Sequence, residues 1–321
     1  MKKNFWPFIV TLLIAGCANN HKNIPVIGFV DAFEDNTIAQ AKKGFFDALR
    51  EKGFSEDQKT IKVIYRNAQG NIPTLTQIVK YFTYQNISLI ASCPSLSTIT
   101  AVQNTRSIPV FMMVSPTPSL MKVVDSTGAV PGNLFGVGEE LGYIDTSFGL
   151  IPKLVKPKSG KLNIGMLYNQ SEPQSVEALQ HIQRVATEFN INLISLPVNS
   201  SADVQLVTQS LLAKNIDAFF ANPDNTIFSS FETIIKACNN GKVPVFTSEA
   251  GLVARGAVAA YGADIYQWGH QAGEQAAAYL QTKSTQNIHW EMVKVRKRVY
   301  NKATAQQFGI TVPANFEAID K

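Results

Sequence analysis

The chain has 321 residues, of which 45% are hydrophobic, 17% charged and 10% aromatic. It is too apolar for a disordered chain, too long for a disulfide-stapled miniprotein, and of a size for two domains at roughly 100–200 residues each. Its net charge of +5 falls to +3 once Lys2 and Lys3 leave with the leader argued below, which is weak support for nucleic-acid binding. Four His and three Cys at wide spacing, without an HExxH, a CxxC or a Walker-type glycine-lysine string, argue against a zinc hydrolase and a P-loop NTPase. No metal and no cofactor are expected.

Met1–Asn4 carry two lysines, Phe5–Ile14 is a largely apolar run, and Ala15, Gly16 and Cys17 follow at once. These are the charged, apolar and small-residue regions of an export signal, and the apolar run is too short to span a bilayer of about 30 Å. The string Leu13-Ile14-Ala15-Gly16-Cys17 resembles the bacterial lipobox. Residues 1–16 are therefore expected to be a lipoprotein signal peptide, with Cys17 acylated on its thiol as the first mature residue. Two or three acyl chains, at about 0.8 kcal/mol per buried methylene, hold a protein on a lipid bilayer. Residues 17–23 read as a polar tether, and the expected location is the bacterial envelope, facing the periplasm or the outside.

From Ile24 short apolar runs alternate with amphipathic helices. Ile24–Val30 is followed by a helical face of Ile38, Ala41, Phe45 and Leu49 that ends at Gly53. Further strand-like runs are Ile61–Tyr65, Ile87–Ala91, Val110–Val114, Asn163–Tyr168, Ile191–Leu196, Ala218–Ala221, Val243–Phe246 and Ala257–Tyr261. Continuous apolar strands between such helices predict a parallel sheet covered on both faces, a doubly wound α/β fold. An echo divides the array: Asn86-Ile87-Ser88-Leu89-Ile90 leading to Pro94 matches Asn215-Ile216-Asp217-Ala218-Phe219 leading to Pro223, at a constant offset of 129 residues. Two Rossmann-like lobes of like topology with a central cleft would leave this trace.

Crossings between the lobes are expected at the glycine-rich Asn133–Gly138, at Tyr261–Asp264, and between the helix bearing Trp268 and Tyr279 and the basic run Val293–Val299. Lobe 1 is then 24–137 with 265–290, and lobe 2 is 138–264 with 291–321. Cys93 and Cys238 fall in different lobes and are expected to be free and partly buried.

Open α/β sheets bind ligands at the carboxyl ends of their strands. In the first lobe this singles out Asp31 and Phe33, Gln69 in Asn67–Gly70, Ser92 and Ser95, and Ser115. Ser95 opens a helix, whose free N–H groups favour a carboxylate. In the second lobe it singles out Tyr168 and Asn169, then Asp224 with Asn225, and Glu249. Phe33 and Tyr168 offer faces to an apolar side chain. Asp224, or failing it Glu249, is expected to pair with a ligand ammonium. No GxSxG elbow and no His paired with Ser or Cys supports catalysis by a nucleophile.

Taken together, Ile27-Gly28-Phe29-Val30, Asn67–Gly70, Tyr168-Asn169 with Glu172 and Ser175, Asp224-Asn225-Thr226, Arg255-Gly256-Ala257 and Gly269–Gly273 resemble the ABC-transporter substrate-binding proteins of the TrpX-type lipoprotein family. The resemblance covers about residues 24–315. Two departures lie near the cleft, where Ser115-Pro116 stands for the family's usual Asp-Pro and Ser248-Glu249 for its Ser-Asp. The family implies a type I periplasmic binding fold that closes on a small molecule and delivers it to an ABC permease, without catalysis. Its ligands include aromatic amino acids such as tryptophan, and a monomer is expected. The alternatives are a two-lobed α/β enzyme of glycosyltransferase type and a receptor serving a signalling partner.

Overall fold

The computed structural model describes residues 24–319; the expected signal peptide, Cys17 and the tether lie outside the described residues. The chain runs β1 (Val26–Asp31), α1 (Ala39–Glu51), β2 (Lys62–Asn67), α2 (Ile72–Tyr84), β3 (Leu89–Cys93), α3 (Ser95–Asn104), β4 (Val110–Pro116) and β5 (Leu134–Glu139). After α4 (Tyr143–Phe148) and α5 (Ile151–Leu154) come β6 (Asn163–Asn169), α6 (Pro173–Glu188), β7 (Asn192–Val198), α7 (Ser201–Leu212), β8 (Ala218–Ala221), α8 (Asn225–Ser229), α9 (Phe231–Asn240) and β9 (Val245–Thr247). The last part is α10 (Ala250–Ala254), β10 (Ala259–Ala263), α11 (Ile265–Thr282), β11 (Glu291–Met292), β12 (Arg296–Asn301), α12 (Lys302–Gln307) and β13 (Glu317–Ile319).

The apolar runs pair as two parallel sheets, one in the order β11-β5-β4-β3-β1-β2 and one in the order β7-β6-β8-β9. The segments β2-β1-β3-β4 and β7-β6-β8-β9 share one winding, which is the physical content of the 129-residue echo. Parallel strands covered on both faces must be apolar at nearly every position, and β3 is buried at all five of its residues. Phe29, Phe45 and Phe111 fill one face of the first sheet, and Val30, Phe82 and Ile90 the other. In the second lobe Phe219 and Phe231 lie in one core cluster and Phe148, Phe220 and Phe246 in another. Each such side chain contributes about 1.5–3 kcal/mol on burial.

Four sequence expectations need correction. Asn133–Gly138, read as a hinge, is largely strand β5, with Phe111 opposite Phe135 and Met112 opposite Gly136. Its glycine answers to crowding: Gly136 has φ +95°, and a Cβ there would lie 2.3 Å from the Met112 carbonyl oxygen. Glu291 and Met292, placed in lobe 2, pair instead with Val137 and Gly138 at the edge of the first sheet. The fold is also not parallel throughout, because β10 pairs antiparallel with β12 and parallel β13 completes a third, three-stranded sheet. The first sheet is therefore left after β5, re-entered between β10 and α11, and left again between β11 and β12. Cys93 and Cys238 are free, and fully rather than partly buried.

Helix α11 belongs to the first sheet's cover and lies directly on α1. Small residues make this approach possible: a Cβ on Gly269 would sit 1.9 Å from the Ala41 carbonyl oxygen, and one on Gly273 2.4 Å from that of Phe45. The two helices therefore meet backbone to backbone.

Candidate ligand-binding site

The carboxyl ends of β4 and β5 face those of β8 and β9 across a cavity with about 430 Å³ of unfilled space, mouth included. On the first-lobe side a bulge shapes the wall, because the register between β4 and β5 shifts between Met112 and Ser115. Val114 takes φ +50° there, a conformation that a β-branched residue rarely adopts. Bulges beside sites re-aim side chains, and Val114 and Ser115 both line the cavity. The Ser115 hydroxyl is tied to Thr98 Oγ1 at 3.1 Å, which in turn meets Ser92 Oγ at 2.9 Å. Tyr143, Phe228 and Trp268 supply aromatic wall, and Trp268 is fixed by its Nε1–H donating to the Val137 carbonyl at 2.8 Å.

Three carboxylates line the cavity, and its lining includes no Lys, Arg or His. Glu139 accepts two hydrogen bonds from Arg296, at 2.5 and 3.1 Å, and burial still pushes its carboxyl up to about 7. Asp224 is saturated: Oδ1 accepts from the Thr226 and Ile227 amides, and Oδ2 from the Asn169 amide at 2.7 Å and Ser175 Oγ at 2.6 Å. Burial pushes Asp224 up, while four donors aimed at it favour the carboxylate. Glu249 differs. Its Oε1 accepts from Tyr143 Oη at 2.7 Å and, weakly, Ser248 Oγ at 3.5 Å, and among the described residues no donor reaches Oε2. Burial, reinforced by the charge of Glu139, pushes Glu249 up to about 8 against the bond from Tyr143.

Opposite, α3 begins at Ser95. The amides of Ser95 and Leu96 have no acceptor among the described residues, as expected for a helix start. Ser95 Oγ meets Asn225 Nδ2 of the other lobe at 3.4 Å.

Of the residues singled out from sequence, Ser95, Ser115, Asp224, Asn225 and Glu249 line this cavity. Phe33, Gln69 and Asn169 instead border a larger outer crevice between the lobes. Three fall outside both. Asp31 is buried on the α1 side of the first sheet, where Tyr65 Oη reaches Oδ2 at 3.3 Å and desolvation pushes the carboxyl up to about 7. Ser92 spends its hydroxyl in the buried chain with Thr98. Tyr168 packs against the core cluster that holds Ile164 and Met166, because alternate strand residues face opposite sides and Asn169 takes the cleft side. Asp224, expected to meet an ammonium, has both oxygens engaged with the Asn169 turn and the start of α8.

Glu139, Tyr143 and Trp268 line the cavity and are not among the residues singled out from sequence. Glu139 ends β5, so reading Gly136-Val137-Gly138 as strand rather than hinge would have placed an acid at a carboxyl end. Tyr143 and Trp268 carry no such local signal, because they reach the cavity only through the crossings that follow β5 and β10.

Residues 23–319 match the family model described as ABC transporter substrate binding protein. The chain belongs to the ABC transporter substrate-binding protein family. A tyrosine-binding protein of Clostridioides difficile is 33% identical to this substrate-binding protein over 262 residues, 82% of this chain and 74% of the relative. A solved conserved domain protein of Vibrio cholerae superposes with a TM-score of 0.82 at 29% identity, covering 92% of this chain and 99% of its own. An ABC domain from Streptococcus pneumonia, solved in complex with L-Trp, superposes with a TM-score of 0.81 at 23% identity over 92% and 99% of the two chains. The two-lobed type I periplasmic binding fold follows, and so does a binding rather than an enzymatic role. No helix among the described residues is long and apolar enough to cross a membrane.

Proposed function

We propose that this protein is a lipid-anchored, extracytoplasmic receptor of an ABC importer that closes on an amino acid, of the aromatic kind, and presents it to a permease. The observation that carries the reading is the position of Glu249. It is the one cavity carboxylate with an oxygen left without a donor, and it lies across the lobes from the open amides of α3. An amino acid offers an ammonium to the first and a carboxylate to the second, the latter favoured by the helix dipole. Tyr143, Phe228 and Trp268 suit an aromatic side chain, and the 33% identical relative is named for binding tyrosine. The anchor is supported by the Gly16-Cys17 junction.

Native mass spectrometry of protein purified from its host, followed by calorimetric titration with individual amino acids, tests the reading. A retained ligand with a primary ammonium, and saturable one-to-one binding of tyrosine or tryptophan, are expected. A retained sugar or other uncharged molecule, with no amino acid binding, would overturn it.

A further inference from the structure

The Arg255-Gly256-Ala257 string has no part in the cavity, yet the Arg255 side chain bonds to both lobes. Its Nε and Nη2 grip Glu232 at 2.8 and 2.9 Å, and Nη2 also donates to the Phe228 carbonyl at 2.9 Å. The guanidinium carbon lies 5.3 Å from the centre of the Phe231 ring. All of these partners belong to the second lobe and hold the fork in place. Nη1 alone reaches across, to Asp35 Oδ2 at 2.6 Å and Thr37 Oγ1 at 3.0 Å in the loop between β1 and α1. The receiving side is equally fixed, because Asp35 Oδ1 accepts from the amides of Thr37 and Ile38. The Asp35 side chain is 2% exposed and that of Arg255 15%.

A second observation marks the same spot. A Cβ on Gly251, in α10 of the second lobe, would lie 2.1 Å from Thr37 Cγ2, and its three nearest atoms all belong to Thr37. The lobes thus meet here without room for a methyl group.

We propose that Arg255 is a positioning residue that clasps the lobes shut from outside the ligand cavity, by docking a guanidinium held in the second lobe onto Asp35 and Thr37 of the first. Of the bonds that Arg255 makes, opening breaks only those of Nη1 and leaves each half of the clasp organised within its own lobe, so reclosure of the clasp needs no local refolding. A ligand gripped by both lobes binds the closed population, and its apparent affinity scales with that population. The clasp therefore sets affinity for every ligand by a common factor, whereas cavity residues discriminate among ligands. The inference rests on the reading of the protein as a closing receptor, but not on what it binds.

Three variants of the mature chain test it by different routes. Asp35→Asn keeps the Oδ1 cap and removes the charge, Arg255→Gln removes the fork, and Gly251→Ala wedges the interface without touching the ion pair. Small-angle scattering of the ligand-free proteins should give a larger radius of gyration for all three than for wild type, with unchanged far-ultraviolet circular dichroism. Arg255→Lys should fall in between, since an ammonium keeps the charge and loses the fork. With L-tyrosine as probe, each of the three should bind about tenfold more weakly, through faster dissociation. Identical scattering of wild type and folded Asp35→Asn and Gly251→Ala overturns the clasp. If L-tyrosine binds none of the proteins but the scattering differs as stated, the clasp stands and only the ligand reading falls.

Discussion

Tyr143 Oη donates to Glu249 Oε1 at 2.7 Å, joining the helix that follows the first crossing to the carboxyl end of β9. The bond fixes one oxygen of the acid and leaves the other without a donor among the described residues, in a wall where both oxygens of Glu139 and of Asp224 already accept hydrogen bonds. An acid set in this way in a desolvated cavity binds an ammonium far more strongly than it would in water.

Glu249→Gln should therefore abolish most amino-acid binding. Loss of one partner from a buried charge pair costs about 2–5 kcal/mol, or roughly 30-fold to several thousand-fold in affinity. The melting temperature of the empty protein should hold or rise, because the amide oxygen still accepts from Tyr143 and a buried acid is gone. Calorimetry and thermal unfolding read the two effects separately, and wild-type affinity in the variant would remove Glu249 from the site.

A pH dependence follows. Glu249 is raised from an ordinary carboxylate to about 8, so between about 4.5 and 8 the folded empty protein binds more protons than the unfolded chain. Stability from this group is complete below the unfolded value and is lost as pH rises through the folded one. The melting temperature of the empty protein should fall from pH 5 to pH 8.5, with a shallower slope in Glu249→Gln. An ammonium ligand favours the ionised acid, so binding should release protons and tighten with rising pH. Equal slopes in wild type and variant would refute the shift.

Asp224→Asn should act on the fold before it acts on binding. An amide cannot accept at both atoms, so with Oδ1 kept on α8 the Ser175 hydroxyl and the Asn169 amide lose Oδ2 as acceptor, and the amide keeps only Ser175 Oγ at 3.1 Å, at a cost of about 1–3 kcal/mol. A lowered urea midpoint with an unchanged slope is expected. Undiminished stability combined with lost binding would return Asp224 to the ligand.

Cys17→Ser should release the protein from the membrane fraction or block removal of its leader. Fractionation with immunoblotting checks this, and unchanged membrane retention and mobility would refute the lipid anchor.

Most of the architecture was legible because parallel strands buried on both faces leave long apolar runs, as in Leu89–Cys93, and because the second winding repeats the first. The glycine pair 136 and 138 hid a strand, since tight packing against Met112 and a flexible hinge call for the same residue. The site was legible in part, because strand ends announce themselves while the sharing of lone pairs does not. Nothing local distinguishes Asp224, met by four donors, from Glu249, met fully by one. Which way Tyr168 faces depends on the register of β6 at its carboxyl end, where Tyr168 lies opposite Pro197 of β7.

The backbone contact between α1 and α11 also bears on the order in which the molecule can assemble. Phe45 and Leu49 of α1 are sealed by a helix that follows the entire second sheet in the chain. The second sheet with its intervening helices, by contrast, is one contiguous segment from 163 to 247. A chain that emerges amino terminus first holds its first sheet half covered until Ile265–Thr282 appears, with a long loop still to close. The half that is made first is thus the half whose covering helix is made last, after the whole of the second sheet.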